Sequence, residues 1–185
     1  TSVSTTLNEP ARLVKPMTSK TTSKITAPVS VAIQWAMQAD HPPFSEVDNS
    51  RIRRWAKACF MDRAEITIRL VGEEEGRQLN RDFRGKDYAT NVLTFPMDMP
   101  DLGADSGLPV FMADIVICPA VVEREAAEQG KDPIDHLAHL IIHGCLHAQG
   151  YVHERNNQAE LMENREIEIL KRFKISNPYV ISAKK

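Results

Sequence analysis

Three histidines in the second half of the chain have a spacing that suits a metal ion. His143 and His147 are four residues apart, so on a helix their side chains lie on one face, one turn apart. Gly150 follows where a helix can end in a left-handed residue that glycine adopts without strain, and His153 can then turn back toward the pair. Three neutral imidazoles with one open position are typical of a catalytic zinc site. We therefore predict one Zn²⁺ ion held by His143, His147 and His153.

The same spacing of histidines and glycine occurs in the metzincin proteases. Those enzymes carry a glutamate directly after the first histidine, where it acts as the general base, and this chain has Gly144 at that position. The ligand set fits a zinc peptidase, but the group that would activate a water molecule is missing. A peptidase is therefore retained as a rival function.

Length and composition indicate one domain with its own core. The chain has 185 residues, of which 42% are apolar, and no apolar run approaches the roughly 18 residues that a membrane span requires. The three cysteines are widely spaced and odd in number, which indicates a reducing compartment rather than a disulfide framework. We expect a cytoplasmic protein with no membrane partner, in which the cysteines are small buried apolar residues.

Residues 1–27 differ in composition from the rest of the chain. They are rich in Thr, Ser, Lys and Pro, so we predict a disordered or loosely ordered extension before a folded domain at 28–185. The extension has a net charge of +3, which leaves −5 on the remaining residues of a chain whose total is −2. An acidic domain argues against a general nucleic-acid binder, and we expect no DNA partner. A polyanionic substrate has to be bound by a local basic patch.

Hydrophobic periodicity places the histidines in a chain of alternating strands and helices. Asp48 or Ser50 can cap the first helix, Asp132 can cap the helix that carries the histidines, and Leu79 and Phe83 should face inward from a charged amphipathic helix. This order predicts an α/β or α+β sheet with helices packed on it. Strands are predicted at residues 29–35, 64–71, 92–96 and 110–118, and helices at 51–60, 72–83, 119–129, about 132–147 and 159–173.

Three blocks of the sequence stand out together: residues 79–96, residues 114–118 with 121–126, and residues 143–153. In this combination they resemble the YbeY family of bacterial metal-dependent endoribonucleases. Two positions depart from the family pattern. Val152 stands where the family usually has an aspartate before the third histidine, and Ala113 stands where it usually has a glycine. An aspartate at position 152 could orient a ligand by hydrogen bonding.

The resemblance implies an α+β single domain with a mixed four-stranded sheet, about five helices and a zincin-like metal site. It implies zinc-dependent cleavage of single-stranded RNA in the maturation of ribosomal RNA, especially the 3′ end of small-subunit rRNA, and in ribosome quality control. The implied partners are ribosomal RNA and the ribosome or its small-subunit proteins. A second rival is a ribosome-assembly factor whose zinc is only structural.

The resemblance also assigns roles to individual side chains. The functional arginine of the family corresponds to Arg84, so we predict Arg84, His143 and His147 as catalytic, and Arg84 with Lys86 as substrate-binding. A zinc ion can lower the pKa of its water to about 7, and a guanidinium matches the oxygens of a phosphate. The attacking group, water or the RNA 2′-hydroxyl, stays open, and Glu154 is a weak candidate for the general base.

Overall fold

The computed structural model describes residues 28–37, 44–101, 106–153 and 156–180. The predicted N-terminal extension and Glu154 lie outside these residues, so the predictions made for them are unchanged. No helix in the described ranges is both long and apolar enough to cross a membrane. The described elements are β1 (Val29–Ala36), α1 (Asn49–Lys57), β2 (Ala64–Val71), α2 (Glu73–Arg84), β3 (Val92–Met97), β4 (Phe111–Ile117), α3 (Pro119–Gln129), α4 (Pro133–Ala148) and α5 (Asn156–Arg172).

The four strands form one mixed sheet in the order β1-β2-β4-β3. β1 pairs with β2 and β2 with β4 in parallel, whereas β3 pairs antiparallel with β4. β3 therefore lies at an edge of the sheet. The prediction of an α+β domain with a mixed four-stranded sheet and five helices is confirmed.

Helix α4 is packed against the sheet at the centre of the molecule. One face of the sheet contributes apolar side chains from every second residue of the two central strands, and α1 and α4 cover that face. Asp132 caps α4 by accepting hydrogen bonds from two backbone N–H groups, and Asp48 caps α1 by accepting one from the N–H of Arg51, as predicted. The largest fully buried side chains of these strands are Ile66, Ile68, Leu70, Ile115 and Ile117.

Helix α2 covers part of the opposite face of the sheet. Leu79 packs on a second apolar cluster formed around Leu93 and Val116, as predicted. The expectation that Phe83 also faces inward is wrong, because Phe83 is 65% exposed and its ring contacts Phe95 edge-on at a centroid distance of 4.8 Å. The last turn of α2 borders a cavity of about 630 Å³ rather than close-packed side chains.

Candidate metal centre

The end of α4 and the turn after it position the three histidines. His143 and His147 lie on the last two turns of the helix and are half-buried, whereas His153 is exposed. Gly150 has φ of 87°, the left-handed conformation predicted from its spacing. The N–H of Gly150 donates to the carbonyl of His147, and the N–H of Tyr151 donates to the carbonyl of Leu146. This pair of bonds is a Schellman motif, which reverses the chain toward the histidines.

The three imidazoles converge on one point. One nitrogen from each of His143, His147 and His153 lies within 4.8 Å of the others. The Nε2 atoms of His143 and His147 are 3.0 Å apart, and the ring of His153 is centred 5.0 Å from that of His147. The arrangement predicted from the spacing is therefore present in the fold.

The Nδ1 atoms of His143 and His147 each have a hydrogen-bond acceptor. Nδ1 of His143 is 2.6 Å from Oε1 of Glu166, and Nδ1 of His147 is 2.8 Å from the carbonyl oxygen of Tyr151. A carbonyl and an ionised carboxylate only accept hydrogen bonds, so we assign the proton of each ring to Nδ1. Both Nε2 atoms then carry lone pairs that face each other.

Two facing lone pairs repel unless a cation lies between them. Their separation suits two nitrogens that are each about 2.0–2.1 Å from the same zinc ion. The donor set therefore fits a metal that prefers neutral imidazole, and His153 can supply the third nitrogen.

The ionisation of His147 favours its neutral form. Burial, followed by the nearby charge of His143, lowers the pKa of His147 to about 4. The ring of His147 is therefore uncharged at neutral pH, which is the state that binds a metal.

The carboxylate of Glu166 on α5 accepts the hydrogen bond from Nδ1 of His143, and this residue was not predicted from the sequence. Its side chain is fully buried. Burial by itself raises the pKa of Glu166, but hydrogen bonds from His139 and His143, the charge of His139 and the hydrogen bond from Tyr179 together lower it to about 2. A signal was present in the sequence, because the acidic residue occupies a position on the apolar face of α5 shared with Met162, Ile169 and Leu170.

Gly144 has no space for a side chain. A Cβ atom at this position would lie 2.8 Å from Cγ2 of Ile115 and 3.3 Å from Oγ1 of Thr94. Position 144 faces β3 and β4 and not a cleft, so this fold has no room there for the glutamate of a metzincin protease. The peptidase interpretation therefore loses its general base for a physical reason as well as by sequence.

Arg84 and Lys86 lie at the end of α2 and in the loop after it, both exposed. Among the described residues neither side chain makes a hydrogen bond or an ion pair. By contrast, Arg77 makes a bidentate pair with Asp87 at 2.8 Å, and Arg81 lies 3.6 Å from the same carboxylate. Neither Arg84 nor Lys86 is joined to the histidines by a hydrogen bond within the described part of the chain.

The edge strand β3 lies between the end of α2 and the histidines. Thr94 contacts Gly144, the neighbour of His143, and its hydroxyl lies 3.4 Å from the Gly144 carbonyl oxygen. Phe95, the next residue, points to the other face and contacts Phe83, the neighbour of Arg84. Thr94 and Phe95 are adjacent on this edge strand, and they contact the histidine helix α4 and the end of α2, respectively.

Comparison with known proteins identifies the family. The family model described as Endoribonuclease YbeY matches residues 37–174. The Endoribonuclease YbeY of Aromatoleum aromaticum is 49% identical over 151 residues, which cover 82% of this chain and 92% of that protein. That of Herminiimonas arsenicoxydans is 52% identical over 129 residues, covering 70% and 83%. The solution structure of TM1509 from Thermotoga maritima is 27% identical, covers 83% of this chain and 99% of that chain, and has a TM-score of 0.46. The matched family model and the two endoribonucleases of about 50% identity show that the chain belongs to the Endoribonuclease YbeY family.

Proposed function

We propose that this chain is a zinc-dependent endoribonuclease that cleaves single-stranded RNA. Its proposed task is the maturation of ribosomal RNA, in particular the 3′ end of small-subunit rRNA, together with the removal of faulty ribosomes in the cytoplasm. Family membership supports the reaction class. The proposed partners are therefore ribosomal RNA and the small ribosomal subunit.

One observation carries the metal-dependent part of the proposal. Nε2 of His143 faces Nε2 of His147 at 3.0 Å, while both Nδ1 atoms are engaged by acceptors. Such a pair is arranged for a cation, and His153 completes a set of three. When bound, a zinc ion supplies a Lewis acid that can polarise a phosphoryl oxygen or acidify a water molecule.

Arg84 is the residue proposed to hold the phosphate. Cleavage of a phosphodiester gathers negative charge on the phosphate oxygens, and a guanidinium matches those oxygens with two parallel N–H donors. Arg84 has no acidic partner among the described residues, so its donors can bind substrate without first breaking an ion pair. Lys86 is available for the same reason and would add positive charge to the neighbouring part of the RNA chain.

The position of β3 supports joint action of the three histidines and Arg84 on one RNA strand. Because this strand is at the edge of the sheet, an RNA strand that crosses it can approach the histidines on one face and Arg84 on the other. A single strand suits such a path better than a rigid duplex, since its backbone can bend around the edge.

The test combines metal analysis with cleavage of single-stranded RNA by the wild type and His147→Ala. We expect one zinc per wild-type chain and RNA cleavage, and neither in the variant. Unstructured peptides serve as the second substrate. Peptide cleavage with intact RNA would favour the peptidase, and a folded His147→Ala that still supports rRNA maturation would favour the assembly factor.

A further inference from the structure

We propose that Glu166 is the positioning residue that fixes His143 as a metal ligand, and that Tyr179 holds Glu166 in place. The inference rests on the proposed metal site, and it concerns binding of zinc rather than cleavage of RNA. It assigns a role to α5 and to the segment after it, neither of which contributes a ligand.

The surroundings of Glu166 indicate a purpose other than stability. Its carboxylate is fully buried, and among the described residues no lysine or arginine pairs with it. A buried charge is costly unless it is hydrogen-bonded, and an apolar residue at such a position is often at least as stabilising. Glu166 lies on an apolar helix face and accepts hydrogen bonds from histidine rings. Its presence there is best explained by its effect on the orientation and the proton position of those rings.

The two carboxylate oxygens have separate partners. Oε1 accepts from Nδ1 of His143 at 2.6 Å, whereas Oε2 accepts from Nε2 of His139 at 3.1 Å and from the hydroxyl of Tyr179. The first bond holds the proton of His143 on Nδ1 and fixes the ring plane. The lone pair on Nε2 then points at His147, and the negative charge behind the ring raises its basicity as a ligand.

Tyr179 connects this network to the segment that follows α5. Its ring stands edge-on to that of His139 at a centroid distance of 5.5 Å, and its backbone N–H donates to the side chain of Asn177. The residue as a whole is partly exposed, but its hydroxyl reaches the buried carboxylate. With His139 it occupies Oε2, so Glu166 cannot rotate away from His143 without losing two donors.

A competing explanation is that Glu166 is itself a metal ligand. His139, His143 and Glu166 form a second group with one possible ligand atom each within 4.8 Å. That group shares His143 with the first, through its other nitrogen. Nδ1 of His143 and Oε1 of Glu166 are 2.6 Å apart, which is a short hydrogen bond and is closer than two ligands that are each about 2.0–2.2 Å from one tetrahedral ion. We therefore assign the group as support for the first site, and metal stoichiometry tests the assignment.

The experiment measures zinc affinity in Glu166→Gln by competition with a chelating dye. Loss of a group that orients a metal-bound histidine typically weakens metal binding by about 10- to 100-fold, and we expect a decrease of that order. The matched control is Glu168→Gln on the same helix, which removes an exposed carboxylate paired with Arg165 and Arg172 and should leave zinc affinity unchanged.

Nitrogen NMR of His143 provides a readout that a purely structural role would not change. In the metal-free wild type we expect the proton on Nδ1, and in Glu166→Gln a substantial population with the proton on Nε2. Tyr179→Phe should weaken zinc binding less than Glu166→Gln, and Tyr88→Phe, an exposed tyrosine, is its control.

Zinc affinity of Glu166→Gln within about twofold of the wild type would overturn the proposal, as would two zinc ions per wild-type chain. If Glu166→Gln fails to fold, Tyr179→Phe decides, and unchanged zinc affinity in that variant contradicts the proposal. Wild-type protein that binds one zinc but cleaves no RNA would contradict the proposed function alone. The two failures are therefore distinguishable.

Discussion

The histidine end of α4 and the end of α2 differ in how their polar groups are held. On α4, His143 and His147 each have Nδ1 engaged by an acceptor, and the buried carboxylate of Glu166 fixes the ring of His143. At the end of α2 and in the loop after it, Arg84 and Lys86 are exposed, and no side-chain hydrogen bond or ion pair constrains them within the described ranges. A metal site needs ligands fixed before the ion arrives, whereas a group that binds a flexible polyanion needs free donors. The contrast indicates a division of work between holding the ion and holding the substrate.

Arg84→Ala tests this division most directly. We expect RNA cleavage to fall by roughly 10²–10³-fold, the size seen when one donor to a developing oxyanion is removed, because the phosphate loses its guanidinium. Zinc content should stay at the wild-type level, since, among the described residues, no hydrogen bond joins Arg84 to His143, His147 or His153. Single-turnover cleavage assays and metal analysis of the same preparation check both parts. Lost zinc, or unchanged cleavage, would remove Arg84 from the mechanism.

Alanine at Gly144 and at Gly76 compares how tightly the two helices pack. Gly144→Ala places a Cβ 2.8 Å from Ile115, so we expect a loss of about 1–3 kcal/mol in the free energy of unfolding from overpacking. Gly76→Ala on α2 meets its nearest atom, Cβ of Cys118, at 3.5 Å, an ordinary contact. That variant should gain up to about 1 kcal/mol from helix propensity. Urea denaturation measures both, and equal effects of the same sign would contradict the difference in packing.

Lys86→Ala should weaken RNA binding by a smaller factor than Arg84→Ala weakens cleavage. A lysine that neutralises one phosphate of a single strand contributes about 0.7 to the slope of log affinity against log salt concentration. We expect that slope to fall by about this amount in the variant. Lys57→Ala, an exposed lysine at the end of α1, is the control. Fluorescence anisotropy with a short single-stranded RNA gives the slope, and an unchanged slope means that Lys86 does not contact the backbone.

Asp87→Asn is expected to have the smallest effect. The hydrogen bond and charge of Arg77, with a further contribution from Arg81, hold the pKa of Asp87 below its ordinary value. Because the pKa of Asp87 is lower in the folded state, its pair with Arg77 stabilises the fold at pH values above the unfolded-state pKa. This stabilisation is lost as the pH falls through the folded-state pKa. The difference in thermal midpoint between wild type and Asp87→Asn should therefore be small at neutral pH and vanish in acid. A difference that grows toward low pH would contradict the assigned pairing.

The sequence predicted best those parts of the site that depend on spacing along one helix and on how that helix ends. The spacing of His143 and His147, and the glycine at position 150, predicted the converging imidazoles, because helix geometry relates spacing directly to direction. Glu166 was not predicted, since it contacts His143 across 23 residues of sequence and its helix had to be packed before the contact existed. Phe83 was misplaced because periodicity predicts the face of a helix but not how far the surface beneath it extends.

The order of the chain has a consequence for the synthesis of the protein. His143 and His147 leave the ribosome before Glu166, and Glu166 before Tyr179, so a growing chain has its ligands before the groups that orient them. Domains generally fold as units, with earlier parts of the chain available first. If Glu166 and Tyr179 orient the ligands as proposed, full metal affinity is gained only when the segment after α5 has docked.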